Sequence, residues 1–289
     1  MFTNAYKIAS KFTAPVIQSI RYFDGTVESG IGSFILLNNS GWILTAAHIV
    51  AGLNAFQQHQ LEITDYHNKE AAILANGQLN AKQKRHRVDS LKKNSKWITN
   101  ISYWWGTDGV KINTFNVAPV ADLAIGQISN YNGDPNQIYP RFKRTSDDFL
   151  GKSLCKLGFP FYNVKTQWDQ ATGSFSIPQD IFPIPRFPID GIGARFNVVI
   201  GPNNQAAKFI EITSPGLRGQ SGGPIFDGEG NICAMQSRTN HFPLGFNPEI
   251  IVNGKPVIEN QFLNVGVGVT TETILPFLSN NNVVVDIVN

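Results

Sequence analysis

A serine flanked by glycines, a histidine closing one apolar run and an aspartate opening another are the places where this sequence could do chemistry. The serine is Ser221, in GLRGQSGGPIF (216–226). A serine hydroxyl attacks a carbonyl only when a base takes its proton and donors receive the oxyanion that forms. Gly219 lets the backbone turn so that the N–H groups of Gly219 and Ser221 can face one point. Gly222 and Gly223 let a substrate backbone approach, and Pro224 leads into a buried strand. The histidine is His48, in GWILTAAHIV (41–50), and the aspartate is Asp122, in VADLAIGQI (120–128). An Asp beside an apolar strand must be paired or hydrogen-bonded to offset its desolvation. Fixing the tautomer of an imidazole is one function that does so. Taken singly, each segment has an ordinary alternative: a plain glycine loop, a core histidine, a turn-capping aspartate.

The elements that position these residues read as strands. SFILL (33–37), WILTAA (42–47), LAIGQI (123–128), SLCKLGF (153–159), FNVVI (196–200), FIEIT (209–213), NICAMQS (231–237) and VIENQFLNVGVGV (257–269) are short apolar runs. Gly, Asn, Pro and Ser turns separate them, which predicts an all-β sandwich or barrel rather than βαβ units. Helix is expected only as a turn within 46–53 and as a C-terminal helix over 271–278, capped by Thr270 or Thr271 and accommodating Pro276. Two segments read as insertions. Residues 82–96 carry seven Lys/Arg against one Asp and are expected as a solvated loop or hairpin. Residues 178–188 are Pro-rich and are not expected in a central strand, because missing N–H groups break the ladder.

Composition narrows the classes. Hydrophobic residues make up 42% and charged residues 16% of 289, a mix for a packed core rather than disorder. A net charge of +3 argues against a nucleic-acid binder. The basic segment, with Trp97, Tyr103, Trp104 and Trp105 nearby, is the one feature favouring such a partner, and a solvated charge run accounts for it as well. Cys155 and Cys233 sit in apolar runs and are expected as buried reduced thiols. The start, MFTNAYKIASKF, lacks a signal peptide's apolar stretch, and no window reads as a membrane span, so the expected location is cytoplasmic. Nothing calls for a metal or cofactor.

The order His48, Asp122, Ser221 is the chain order of the chymotrypsin arrangement. LTAAHIV, DLAI and GQSGGPIF resemble the three signature segments of trypsin-like serine peptidases, and the bacterial HtrA/DegP type in particular. The resemblance spans roughly residues 14–275. It implies two six-stranded antiparallel β-barrels with the active site between them: an N-terminal barrel over 14–135, carrying the 82–96 insertion, and a C-terminal barrel over 145–275. It implies a serine endopeptidase in which His48 is general base and then acid, Asp122 orients it, Ser221 is the nucleophile, and Gly219 and Ser221 supply the oxyanion N–H groups. By the same resemblance Ser237 supports Asp122, Ser237 to Thr239 (through Arg238) form one wall of the S1 pocket, and Gly266 to Gly268 form another.

The chain also departs from that pattern. Gln220 stands where secreted trypsins carry the aspartate that receives a new N-terminus, so the activation ion pair is not expected. Ile49 replaces a disulfide cysteine, and His48 and Asp122 are 74 residues apart. The chain ends soon after the last barrel strand, so no PDZ domain is expected. Pro215 occupies the position of the S1 aspartate of trypsins, followed by Gly216. With no carboxylate there and with Gly266 and Gly268 leaving the far wall open, the expected P1 preference is apolar first, acidic second and basic last. Arg238 and Arg218 are placed to meet acidic side chains in neighbouring subsites. The expected partners are a protein or peptide substrate and a regulatory protein, since a peptidase lacking the zymogen bond needs another restraint. A loop over 178–195 is one candidate for it, and the competing reading is a protease-fold binding module without turnover.

Overall fold

The computed structural model describes residues 2–289. Strand accounts for 41% of the chain and helix for 23%, so the all-β expectation holds with more helix than the sequence suggested. Six strands form the first sheet: β1 (Thr13–Tyr22), β2 (Val27–Leu36), β3 (Trp42–Ala46), β4 (Ile98–Trp104), β5 (Ile112–Ala118) and β6 (Leu123–Ile128). They lie in the order β4-β1-β2-β3-β6-β5, all antiparallel, and no ladder joins β4 to β5 among the described residues.

The second sheet draws on β7 (Arg141–Lys143), β8 (Ser153–Gly158), β11 (Phe187–Ile200), β12 (Ala206–Ile212), β13 (Pro224–Phe226), β14 (Ile232–Pro243), β17 (Phe262–Thr270) and β18 (Asp286–Val288). Two small hairpins, β9 (Gln167–Asp169) with β10 (Ser174–Ser176) and β15 (Glu249–Val252) with β16 (Lys255–Ile258), stand apart from it. The order is β13-β8-β11-β12-β17-β14, and β14 pairs back onto β13, which closes a six-stranded ring. Closure removes the edges an open sheet would expose. Outside the ring, β7 and β18 extend the sheet from β14 in parallel. The hydrophobic core is continuous: Leu44, Leu123 and Ile125 of the first sheet pack with Leu157, Phe209, Phe226 and Met235 of the second.

Among the described residues five α-helices surround the sheets: α1 (Thr3–Phe12), α2 (Ala47–Val50), α3 (Gly52–Ala75), α4 (Ala81–Asp89) and α5 (Thr271–Asn280). The last is the expected C-terminal helix. Thr270 precedes it, but the Thr270 hydroxyl donates to the Lys208 carbonyl rather than capping the helix. Among the described residues no helix is long and apolar enough to cross a membrane.

The 74-residue interval between His48 and Asp122 is mainly helical, against expectation. Along α3 the half-buried positions Leu53, Phe56, Gln60, Ile63, Tyr66, Glu70 and Ile73 recur every three or four residues, one stripe of a helix. That stripe docks on the first sheet: His59 Nδ1 accepts from the Ile98 N–H at 2.9 Å, and Trp97 Nε1 donates to Glu62. The basic segment is corrected as well. Ala81–Asp89 is a helix, started by a reciprocal capping box between Asn80 and Gln83, and not a loop or hairpin. Lys82, Arg85 and Arg87 face solvent, as a charge run does, while Lys84 is half-buried and donates to the Leu74 carbonyl.

The Pro-rich segment needs a second correction. Phe187 and Pro188 open β11, a strand flanked by β8 and β12, and Pro188 lies opposite Leu157. The ladder tolerates it because residues 187–192 pair with β8 alone, while 193–200 pair with β12. Pro188 therefore sits where the strand still has a free edge. Of the segment 178–195 suggested as an occluding loop, residues 187–195 are strand, and 178–186 precede it with a short 3₁₀ turn at Gln179–Ile181. Cys155 and Cys233 are buried free thiols.

Candidate functional site

Register explains how residues 74 apart become neighbours. Strand β3 pairs with β6 so that Ala46 faces Leu123, and the chain leaves β3 into α2 just before it would pass Asp122. His48 therefore sits one helical step beyond β3, with the Ala47 N–H donating to the Asp122 carbonyl at 3.0 Å. Asp122 follows a 3₁₀ turn and adopts a left-handed φ of 53°, a conformation Asp tolerates better than most residues. This turn aims its carboxylate back at His48.

The carboxylate is fully engaged. Asp122 Oδ1 accepts from the His48 backbone N–H at 3.0 Å, and Oδ2 lies 2.9 Å from His48 Nδ1. The Ser237 hydroxyl donates to Oδ2 at 2.6 Å. Burial alone would raise the Asp122 carboxyl, but these bonds and the attraction of His48 outweigh it and hold the pKa below the ordinary aspartate value. The His48 side chain stays 48% exposed, so the imidazole edge away from Asp122 is open to a substrate.

Ser221 comes from the second unit and is tied to the first, its carbonyl accepting from the Ser33 N–H at 2.8 Å. Its Oγ donates to the Ser237 carbonyl at 3.1 Å, and no hydrogen bond joins it to His48. The loop before it is braced from behind: the Gly219 carbonyl accepts from Phe159 N (3.1 Å) and Ser33 Oγ (2.7 Å). With that carbonyl turned inward, the N–H groups of Gly219 and Ser221 have no protein acceptor among the described residues. Gly219 reaches this geometry at φ +101°, open chiefly to glycine. Gln220 is fully buried, its Oε1 accepting from Leu217 N at 3.0 Å and its Nε2 reaching the Phe187 carbonyl at 3.4 Å. A neutral side chain thus holds the loop from within.

Gly222 marks how closely the two units meet. A methyl at this position, where φ is +83°, would stand 2.1 Å from the Ser33 carbonyl oxygen and 2.4 Å from Thr45 Oγ1. Overpacking against backbone combined with a left-handed conformation should make Gly222→Ala cost at least about 3 kcal/mol. Urea unfolding checks this, and a loss under about 1 kcal/mol would mean the contact between the units yields easily.

The remaining sequence-selected residues gather beside Ser221. Thr239 faces Gly266 across the β14–β17 ladder, and Gln236 faces Gly268. The Thr239 hydroxyl donates to the Gly216 carbonyl at 2.5 Å, bridging β14 and the loop that precedes Ser221. The far wall is not open as expected. The space beside Gly266 is occupied by Lys156 Nζ and Gln236 Oε1, and that beside Gly268 by Ile225. Sequence reasoning missed Lys156. It is fully buried, and its Nζ donates to the carbonyls of Ser214 (2.6 Å) and Pro215 (2.7 Å). Arg238 turns its guanidinium over the Phe209 ring, 4.7 Å from the centroid. Arg218 lines a cleft of about 380 Å³ with Ile31, Phe161, Tyr162 and Leu217, and a second cleft of about 520 Å³ borders His48 and Asp122 between Leu53 and Phe115.

Comparison with known proteins follows the geometry. The family model for the trypsin-like peptidase domain matches residues 32–235. No curated protein matches the chain. Among solved structures, the Rv3671c protease from M. tuberculosis in its active form is similar over 99% of this chain and 87% of its own, at 13% identity and a TM-score of 0.53. The HtrA-type protease AlgW bound to a decapeptide is similar over 97% of this chain and 67% of its own, at 14% identity and a TM-score of 0.52. Its tripeptide complex gives 15% identity and a TM-score of 0.50, and this chain spans 63% of that protein's length. At such identities the likeness is one of fold.

Proposed function

The chain belongs to the trypsin-like peptidase domain family, and on that premise we propose that it is a serine endopeptidase working through His48, Asp122 and Ser221. The observation carrying this reading is the convergence, from two separate β units, of an Asp-anchored imidazole, a serine hydroxyl and two free N–H groups. Ser221 Oγ attacks the scissile carbonyl as His48 takes its proton. The carbonyl oxygen becomes an anion received by the N–H groups of Gly219 and Ser221. His48 then returns the proton to the leaving amine, and water repeats the sequence on the acyl-enzyme. Asp122, held ionised by its three donors, fixes the tautomer and stabilises the imidazolium.

In this state Ser221 Oγ is bonded to the Ser237 carbonyl, and a rotation of its side chain is needed to engage His48. Catalytic hydrogen bonds of this kind commonly tighten only with substrate bound. A restrained peptidase is a second reading, favoured by the Thr239–Gly216 bond that ties β14 to the loop before Ser221. Peptides are the proposed substrates, as the AlgW complexes hold a tripeptide and a decapeptide. A fluorophosphonate probe tests the serine directly. Covalent labelling that maps to Ser221 and vanishes in His48→Ala is the expected result. An unlabelled protein, or labelling elsewhere, would refute the assignment.

A further inference from the structure

The buried lysine behind Ser221 has no role in the chemistry described so far. Lys156 projects from β8 into the interior of the second unit, fully shielded from solvent, and no carboxylate lies within ion-pair distance. Its Nζ has three N–H bonds, and two are used on the Ser214 and Pro215 carbonyls. The third has no partner. Nearby, Gln236 Oε1 is also buried without a partner, its Nε2 being taken by the Arg238 carbonyl at 2.8 Å. Both atoms crowd the same spot, 2.8 Å and 3.1 Å from where a side chain at Gly266 would begin.

That spot is where a substrate side chain would arrive. Beyond Gln236, which is bonded to Gly222 and Gly223, the edge of β14 away from β17 has no strand partner, and an extended peptide can pair with Ser237–Thr239 once the Ser237 carbonyl is released by Ser221 Oγ. A peptide paired there, with its carbonyl beside Ser221 Oγ, directs its P1 side chain toward Gly216, Thr239 and Gly266, a path that opens only when the Thr239–Gly216 bond breaks and the Gln236 amide beside Gly216 moves aside. We propose that Lys156 makes the subsite opened in this way selective for an acidic P1 side chain, with the substrate carboxylate supplying the counter-charge that the protein lacks. The inference rests on the peptidase reading above. The Thr239 hydroxyl, now bonded to Gly216 O, is placed to transfer its donor to the same carboxylate. This reverses the order expected from the sequence, in which apolar P1 residues came first.

Burial pushes the Lys156 ammonium down to about 7. The titratable groups facing it are few. Cys155, its chain neighbour, is a thiol that burial pushes up to about 12 and is uncharged at working pH. Asp190 lies across the β8–β11 ladder, opposite Cys155 rather than Lys156. The other surrounding side chains, Ile189, Ile225 and Gln236, carry no charge. Below neutral pH the ammonium is charged and ready for a carboxylate, and above it a proton must be taken up on binding. Selectivity for P1 Glu over P1 Leu should therefore fall as pH rises through about 7.

The test uses peptidyl phosphonates that differ only at P1 (Glu, Asp, Gln, Leu, Lys), with the rate of Ser221 labelling as readout. The expected result is fastest labelling by an acidic P1. In Lys156→Met, that rate should drop on the order of 10²-fold or more while the Leu reagent holds or gains. Faster labelling of the wild-type chain by Leu, Gln or Lys reagents overturns the inference, and this arm needs no variant to fold. A Glu-to-Leu ratio that does not decline from pH 6 to 9 overturns it as well. A small fluorophosphonate separates the two claims: labelling by it without acidic P1 preference rejects Lys156 selectivity alone, and no labelling at all rejects the peptidase reading and the inference with it.

Discussion

Ser221→Ala should fold as the parent does and lose a factor on the order of 10⁴–10⁶ in kcat against any peptide the parent cleaves. The two halves of this expectation have different origins. Structurally, the Ser221 hydroxyl makes one hydrogen bond, to the Ser237 carbonyl at 3.1 Å, and its residue is only half-buried. Losing such a bond costs about 1 kcal/mol. The bonds that lock the loop are made by other atoms: the Ser221 and Gly219 carbonyls, and the Gln220 amide. Chemically, alanine leaves the oxyanion N–H groups and substrate contacts in place, so the residual rate measures what they contribute without a nucleophile. The check is single-turnover peptide cleavage beside thermal unfolding of the same samples. Retention of more than a tenth of the rate would show that another group attacks the carbonyl.

The legible parts of this protein were those in which a local rule and a chemical requirement coincide. GLRGQSGGPIF announced its loop because Gly219 and Gly222 occupy positions with φ of +101° and +83°. The neighbourhood of His48 and Asp122 was legible only through motif order, since the register of Ala46 on Leu123 is not written in either segment. Helix α3 escaped notice because it buries no residue fully, has no side-chain cap and carries no acidic residue in its first turn. Its half-buried stripe is faint against a polar background. The capping box of Asn80 and Gln83 also starts α4 from polar residues that, beside the charge run that follows, do not stand out as a helix start. Lys156 was hidden by a different effect. In SLCKLGF, alternation suggests that a lysine faces water, but Leu154, Cys155, Lys156 and Leu157 are all buried, because both faces of β8 are covered. A charged residue inside a two-sided strand is visible only once the second face is known to be packed.

Asp122→Asn should lower kcat by roughly 10⁴ near neutral pH while changing KM little. The Asp122 carboxylate accepts at every contact it makes: the His48 N–H at 3.0 Å, His48 Nδ1 at 2.9 Å and the Ser237 hydroxyl at 2.6 Å. Asparagine keeps the shape but brings one oxygen and one NH₂. If its oxygen stays on the backbone N–H, the NH₂ faces His48 Nδ1 and selects the tautomer with Nδ1 as acceptor. The proton then sits on Nε2, the nitrogen that receives the Ser221 proton in the proposed mechanism, and general-base catalysis should stop. The same substitution has a signature in stability. The Asp122 pKa is held below its ordinary value in the folded protein, so its carboxylate stabilises the fold above the unfolded-state pKa. That contribution is lost as pH falls through the folded-state value. The stability gap between parent and Asp122→Asn should therefore be widest near pH 7 and should narrow as the solution is acidified below about 4. Urea midpoints across that range measure it. A gap that stays constant with pH would assign the loss to packing, and a variant retaining a tenth of the parental kcat would remove Asp122 from the mechanism.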